Sequence, residues 1–73
     1  MFSVKIYGAG SIGNHYTYAF RKKSWKVKVF DTDPKALARM KNQLYPGRYG
    51  RWDPKIKLMS EDDNKYYDLI IIG

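Results

Sequence analysis

Hydrophobic residues follow two periods along the chain, and the changes of period divide it into elements. Residues 1–7 place Phe2, Val4, Ile6 and Tyr7 in a short, partly alternating run that ends at glycine, which predicts a first strand. Lys5 does not fit a central parallel strand, which is usually apolar on both faces. It is expected to snorkel toward an edge, or to mark this strand as less central. From Ser11 to about Lys23 the period becomes helical, with Ile12, Tyr16, Ala19 and Phe20 at i, i+4, i+7 and i+8 as the expected buried stripe. Arg21, Lys22 and Lys23 crowd the last turn, where positive charge complements the helix dipole. "WKVKVFD" alternates again, Trp25, Val27 and Val29 opposing Lys26, Lys28 and Phe30, and predicts a second strand.

"DTDPKALARMKNQL" carries a helix start. Asp33 serves as N-cap, and Pro34 at the first helical position loses no hydrogen bond. Leu37, Met40 and Leu44 form its expected buried face, with Ala36 alongside. "YPGRYGRWDP" is expected to break this helix with its two prolines and two glycines. "KIKLM" reads as a short extended piece, "SEDDNK" as a polar turn or short helix, and "YYDLIIIG" as the third strand, apolar enough to be buried on both faces. The order is βαβαβ. Right-handed crossovers predict an α/β fold with a three-stranded parallel sheet, order 3-2-1, and two helices on one side. The far flank of the first strand would then be bare, and we expect instability, self-association through that open sheet edge, or membership of a longer protein.

At 73 residues the chain forms one small domain with a thin core, and it has no cysteine to staple it. The longest purely aliphatic run is "LIII", too short to cross a bilayer, and Lys5, Gly8 and Gly10 interrupt any signal-like segment. The expectation is a cytoplasmic protein with no membrane partner. The net charge of +7 is spread over several segments and forms no single tract, which argues for a solvated surface over a nucleic-acid interface.

"GAGSIG" lies between the first strand and the first helix, which is where a dinucleotide fingerprint must lie. Gly8 permits the tight turn, Gly10 leaves room for a pyrophosphate, and Gly13 lets the helix pack closely on the strand. Ser11 and Ile12 complete the loop at the helix N-terminus, whose free N–H groups favour an anion. Asp31 stands at the end of the second strand, eighteen positions after Gly13, where its carboxylate can accept hydrogen bonds from ribose hydroxyls. It repels a 2′-phosphate, so NAD is expected over NADP. No arginine follows Asp31 directly, and Lys35 is a weak counter-indication. The glycines alone also suit a plain turn with close packing. Strand, helix, second strand and acid in register favour the binding site.

"VKIYGAGSIGNH", "VFDTDPKALARM" and "YYDLIIIG" together resemble the N-terminal Rossmann half of the glucose-fructose oxidoreductase / inositol dehydrogenase (Gfo/Idh/MocA) family, and "YPGRYGRWD" resembles a subgroup linked to cell-surface polysaccharides. The resemblance spans residues 1–73 but only the first βαβαβ unit of such an enzyme, so it implies an N-terminal, truncated portion of a dinucleotide-binding domain. It implies NAD(P)-dependent oxidation of sugars or cyclitols in a full-length protein, with Gly8, Gly10, Ser11, Ile12, Gly13 and Asp31 at the cofactor. The family's Glu-Lys-Pro lysine and substrate histidine have no counterpart here, so no catalytic residue is expected. Two other classes share parts of the pattern. NAD-sensing modules that gate potassium transport carry the glycine loop and the "D-x-D", and S-adenosylmethionine-dependent methyltransferases use a glycine loop with a similarly placed acid.

Three further features have plainer readings. His15 has no carboxylate partner by spacing and suits helix packing better than acid–base work. Tyr45, Tyr49 and Trp52, interleaved with Arg48 and Arg51, are expected to pack on the rest of a longer protein or a partner rather than stack on bases. Glu61, Asp62 and Asp63 are expected to face solvent and not to hold a metal.

Overall fold

A computed structural model describes residues 1–73. The elements are β1 (Ser3–Tyr7), α1 (Ser11–Lys22), β2 (Lys26–Phe30), α2 (Pro34–Arg39), a π-helical turn (Met40–Leu44), α3 (Tyr45–Tyr49), β3 (Lys57–Met59) and β4 (Leu69–Ile72). The chain is mixed α/β with a parallel sheet, but that sheet has four strands in the order β3-β2-β1-β4. This corrects the expected three strands in order 3-2-1. "KLM" takes the place beside β2, pairing with Lys28–Phe30, and "LIII" pairs with Val4–Tyr7 on the other flank of β1. The reason is a long-range contact at the start of β1. Its Ser3 N–H donates to Asp68 Oδ2 at 2.7 Å, which brings the chain just ahead of "LIII" to that flank. The bare flank is therefore the outer side of β4, not of β1.

Strand alternation puts Val4, Ile6, Val27 and Val29 on one face, each 0–1% exposed, with the helices over them. Ala36, Leu37, Met40 and Tyr45 close this core from the helical side. On α1 the buried residues are Gly13, Asn14 and Thr17, whereas Ile12 is 62% exposed. The stripe expected from periodicity lies to one side of the true contact. Close packing of Gly13 on the β1 turn sets the rotation of the helix, so positions i+4 and i+7 from Gly13 meet the sheet. Thr17, buried there, satisfies its hydroxyl by donating to the Gly13 carbonyl at 2.7 Å.

Asp33 caps α2 as expected, accepting from the Lys35 N–H at 2.9 Å. The helix does not break at "YPGRYG". Pro46 has no N–H and its ring crowds the carbonyl four residues back, at Asn42. The π-helical turn widens the spiral just ahead of it, with the Tyr45 N–H bonded to the Met40 carbonyl, and helix resumes to Tyr49. Gly50, at φ 96°, ends it. The aromatic segment accordingly packs on this chain's own α1 rather than awaiting a partner. Tyr49 stacks on Tyr18 with centroids 3.8 Å apart, and Tyr45 meets Trp52 edge-on at 5.3 Å. Asp53 anchors the segment by accepting from Arg21 Nε at 2.8 Å. Burial alone raises this carboxyl, but the bonds from Arg21 and the Lys55 N–H outweigh it and hold it below its ordinary value.

On the second face of the sheet Ile70 and Ile72 of β4 are 51% and 78% exposed rather than buried as expected, and Lys5 stands at its centre, 4% exposed. It is neither at an edge nor in a less central strand. Its ammonium donates to Asp62 Oδ1 at 2.6 Å and Asp63 Oδ1 at 3.2 Å; Glu61 and Asp62 are exposed as expected, but Asp62 and Asp63 also close over this lysine. Tyr7 donates to Asp62 at 2.7 Å and Tyr67 to Asp63 at 2.6 Å, which completes a strap across the face. A buried ammonium persists only with such partners.

The strap makes stability depend on pH at both ends. The bonds from Lys5 and Tyr7 lower the Asp62 carboxyl, and chiefly the Tyr67 bond, with Lys5, lowers Asp63 to about 2. Their contribution is present above the unfolded carboxylate value near 3.8 and is lost as pH falls toward 2. Burial and Asp63 push Tyr67 up to about 12, and Asp62 chiefly raises Lys5, so that contribution is lost as pH climbs above about 10. Thermal melts followed by circular dichroism should give a midpoint that is level from about pH 5 to about pH 9 and falls by several degrees on either side. Lys5→Met should lower the neutral midpoint and flatten the acid limb. An acid limb unchanged in that variant would contradict the assignment.

Candidate functional site

The turn from β1 into α1 is held from three directions. Gly8 adopts φ 109°, open to glycine, and its N–H donates to the Phe30 carbonyl at 2.8 Å. Gly13 lies so close to this turn that a Cβ there would stand 2.0 Å from the Gly8 carbonyl oxygen. From beside β1, the Gly73 N–H donates to the Tyr7 carbonyl at 2.9 Å. The loop is thereby pinned at the C-terminal ends of β1, β2 and β4.

Gly10 differs from its neighbours. It is the N-cap of α1, with ordinary extended backbone, and a Cβ built on it would meet nothing within 4 Å. No side chain caps the helix, and its first turn has no acidic residue. The N–H groups of Ser11, Ile12 and Gly13 precede the first intrahelical bond, Asn14 N–H to the Gly10 carbonyl at 2.8 Å. Ser11 and Ile12 are exposed above them. The arrangement offers an anion unneutralised donors and open space in one place.

Asp31 joins this turn through the backbone. Its Oδ2 accepts from the Ala9 N–H at 3.0 Å, and its Oδ1 accepts from the Asp33 N–H at 2.9 Å. The carboxylate has acceptor capacity left, since two oxygens carry about four lone-pair sites. The structure thus brings the six expected residues, Gly8, Gly10, Ser11, Ile12, Gly13 and Asp31, to the turn and its edge. Ala9 and Gly73 belong to the same constellation and were not singled out from sequence. Ala9 acts through its backbone N–H, and Gly73 through a contact across more than sixty residues; neither leaves a side-chain signal.

A groove of about 360 Å³ runs from this turn between α1 and α3, lined by Ser11, Ile12, Asn14, His15, Arg48 and Tyr49 among others. His15 is exposed and meets the Tyr16 ring edge-on at 6.2 Å, so it lies off the packing face of α1 on which it was expected. Asn14 is buried, and its Oδ1 has no hydrogen-bond partner. Arg48 reaches the groove only because the helix continues past Pro46, a course the sequence pattern argues against.

No group of acidic residues and histidine is arranged to hold a metal ion. No helix is long and apolar enough to cross a membrane. The sequence matches no protein-family model, and no curated protein matches it.

Proposed function

We propose that this chain binds the ADP portion of a nicotinamide dinucleotide, NAD in preference to NADP, as the first half of a Rossmann-type domain similar to that of Gfo/Idh/MocA sugar oxidoreductases. The observation that carries the reading is the uncapped N-terminus of α1 under open space at Gly10, with the Asp31 carboxylate bonded to the adjoining Ala9 N–H. Ser11, Ile12 and Gly13 N–H groups would hold the pyrophosphate, and Asp31 would accept from the adenosine ribose hydroxyls. When bound, the nicotinamide ring supplies hydride chemistry; the residues present here bind and orient the other end of the molecule. In such an enzyme the substrate would be a sugar or cyclitol. The strand order 3-2-1-4 supports the reading, because it places the glycine turn at the centre of the sheet's C-terminal edge.

Calorimetric titration of the folded chain with NADH, NADPH and S-adenosylmethionine tests it. NADH should bind tightest. Asp31→Ala should weaken it roughly 10- to 100-fold, the loss of one or two hydrogen bonds to a charged acceptor. Preference for S-adenosylmethionine would transfer the site to the methyltransferase class, and no saturable binding of either nicotinamide cofactor would remove the proposal.

A further inference from the structure

The end of the sheet opposite the glycine turn collects positive charge. Arg21, Lys26, Lys28, Lys55 and Lys57 line one cleft of about 520 Å³, together with Ser24 and no carboxylate. The grouping is tertiary: β3 pairs only with Lys28–Phe30, Lys57 lying opposite Lys28, and Lys55 shares the cleft with the start of β2, which β3 leaves unpaired at Lys26 and Val27.

The five cations are not equally free. Arg21 is fixed, its Nε on Asp53 and its Nη1 on the Trp25 carbonyl at 2.6 Å, with a side chain only 15% exposed. Lys28 reaches Asp63 at 3.6 Å. Lys26, Lys55 and Lys57 stand in no ion pair. A space of this volume is about 10 Å across, no more than the Debye length at about 0.1 M salt, so the lining charges are only partly screened from one another and act jointly on an anion placed among them. Ser24, the one non-glycine residue with positive φ (63°), turns the chain at the rim.

We infer that this cleft is a second anion site, which takes a compact polyphosphate chain, free or carried by a nucleoside. A single phosphate does not answer three unpaired lysines, and a long polymer exceeds the cleft, whereas two or three linked phosphates match both its charge and its size. The site lies a strand's length, about 17 Å, from the glycine turn and does not depend on dinucleotide binding there.

The test is a titration of ¹⁵N-labelled protein with sodium tripolyphosphate, ATP, orthophosphate and a single-stranded oligonucleotide at matched ionic strength. Tripolyphosphate should shift the amides of Ser24–Lys28 and Lys55–Lys57, saturate, bind at least tenfold tighter than orthophosphate, and weaken on the order of tenfold from about 50 to 200 mM salt. Lys55→Glu/Lys57→Glu should abolish saturation. The neutral pair Lys55→Gln/Lys57→Gln should weaken binding severalfold, and decides the matter if charge reversal disturbs folding. ATP equal to or tighter than tripolyphosphate supports the site, equality assigning recognition to the phosphates and tighter binding adding the nucleoside. Shifts confined to Gly8–Gly13, or tripolyphosphate no better than orthophosphate, overturn it. An oligonucleotide that outcompetes tripolyphosphate at equal phosphate concentration also overturns it, in favour of nucleic acid.

Discussion

Gly13→Ala is expected to destabilise the protein by about 3 kcal/mol or more, the upper end for an overpacked site, and to lower the thermal midpoint by on the order of 15 °C. The added methyl would stand 2.0 Å from the Gly8 oxygen and 3.1 Å from the Gly8 carbon, both backbone atoms. No rotamer change relieves that contact. Gly8 cannot retreat, because its φ of 109° and its bond to the Phe30 carbonyl fix the turn. The helix must therefore move off the sheet by about 1 Å, and the contacts of Thr17 and its neighbours go with it. A domain of this size has only a few kcal/mol to lose. Circular dichroism melts check the expectation, and a variant melting within a few degrees of the parent would show that α1 is not seated as described.

Gly10→Asp should do the opposite to stability and far more to binding. The position has extended backbone, open surroundings and no existing cap, so a carboxylate there can accept from the first-turn N–H groups. The helix gains about 0.3–1 kcal/mol from cap and dipole together, which raises the midpoint by a few degrees. The same carboxylate occupies the donors a pyrophosphate needs and repels it. NADH affinity should fall at least 100-fold, about the value of two charge-assisted hydrogen bonds. A more stable variant that keeps its NADH affinity would remove the glycine turn from the proposed site. Two glycines three positions apart thus separate the structural role of the turn from its binding role.

The features legible along the chain were those governed by neighbours in sequence. The glycine turn, the Asp33 cap on α2, the strand alternation of residues 26–30 and the place of Asp31 all follow from local backbone geometry and side-chain period. The parallel α/β class followed as well, since it needs only the order of those elements.

What went otherwise was decided by residues far apart. The apolar stripe of Ile12 and Tyr16 pointed to one face of α1, but the contact of Gly13 with Gly8 turned the helix to another. Proline and glycine at 46 and 47 signalled a break, yet packing of Tyr45 and Tyr49 on Tyr18 favoured continued helix through a widened turn. Lys5 looked misplaced until Asp62 and Asp63, more than fifty residues later, closed over it. That closure, with Asp68 on Ser3, also sent "LIII" to the free flank of β1 and made the sheet four-stranded. Local pattern sets which residues turn, cap and alternate, because those energies act within a few residues. The phase of a helix, the partner of a buried charge and the order of strands depend on which distant surfaces meet, and only the folded chain brings those together.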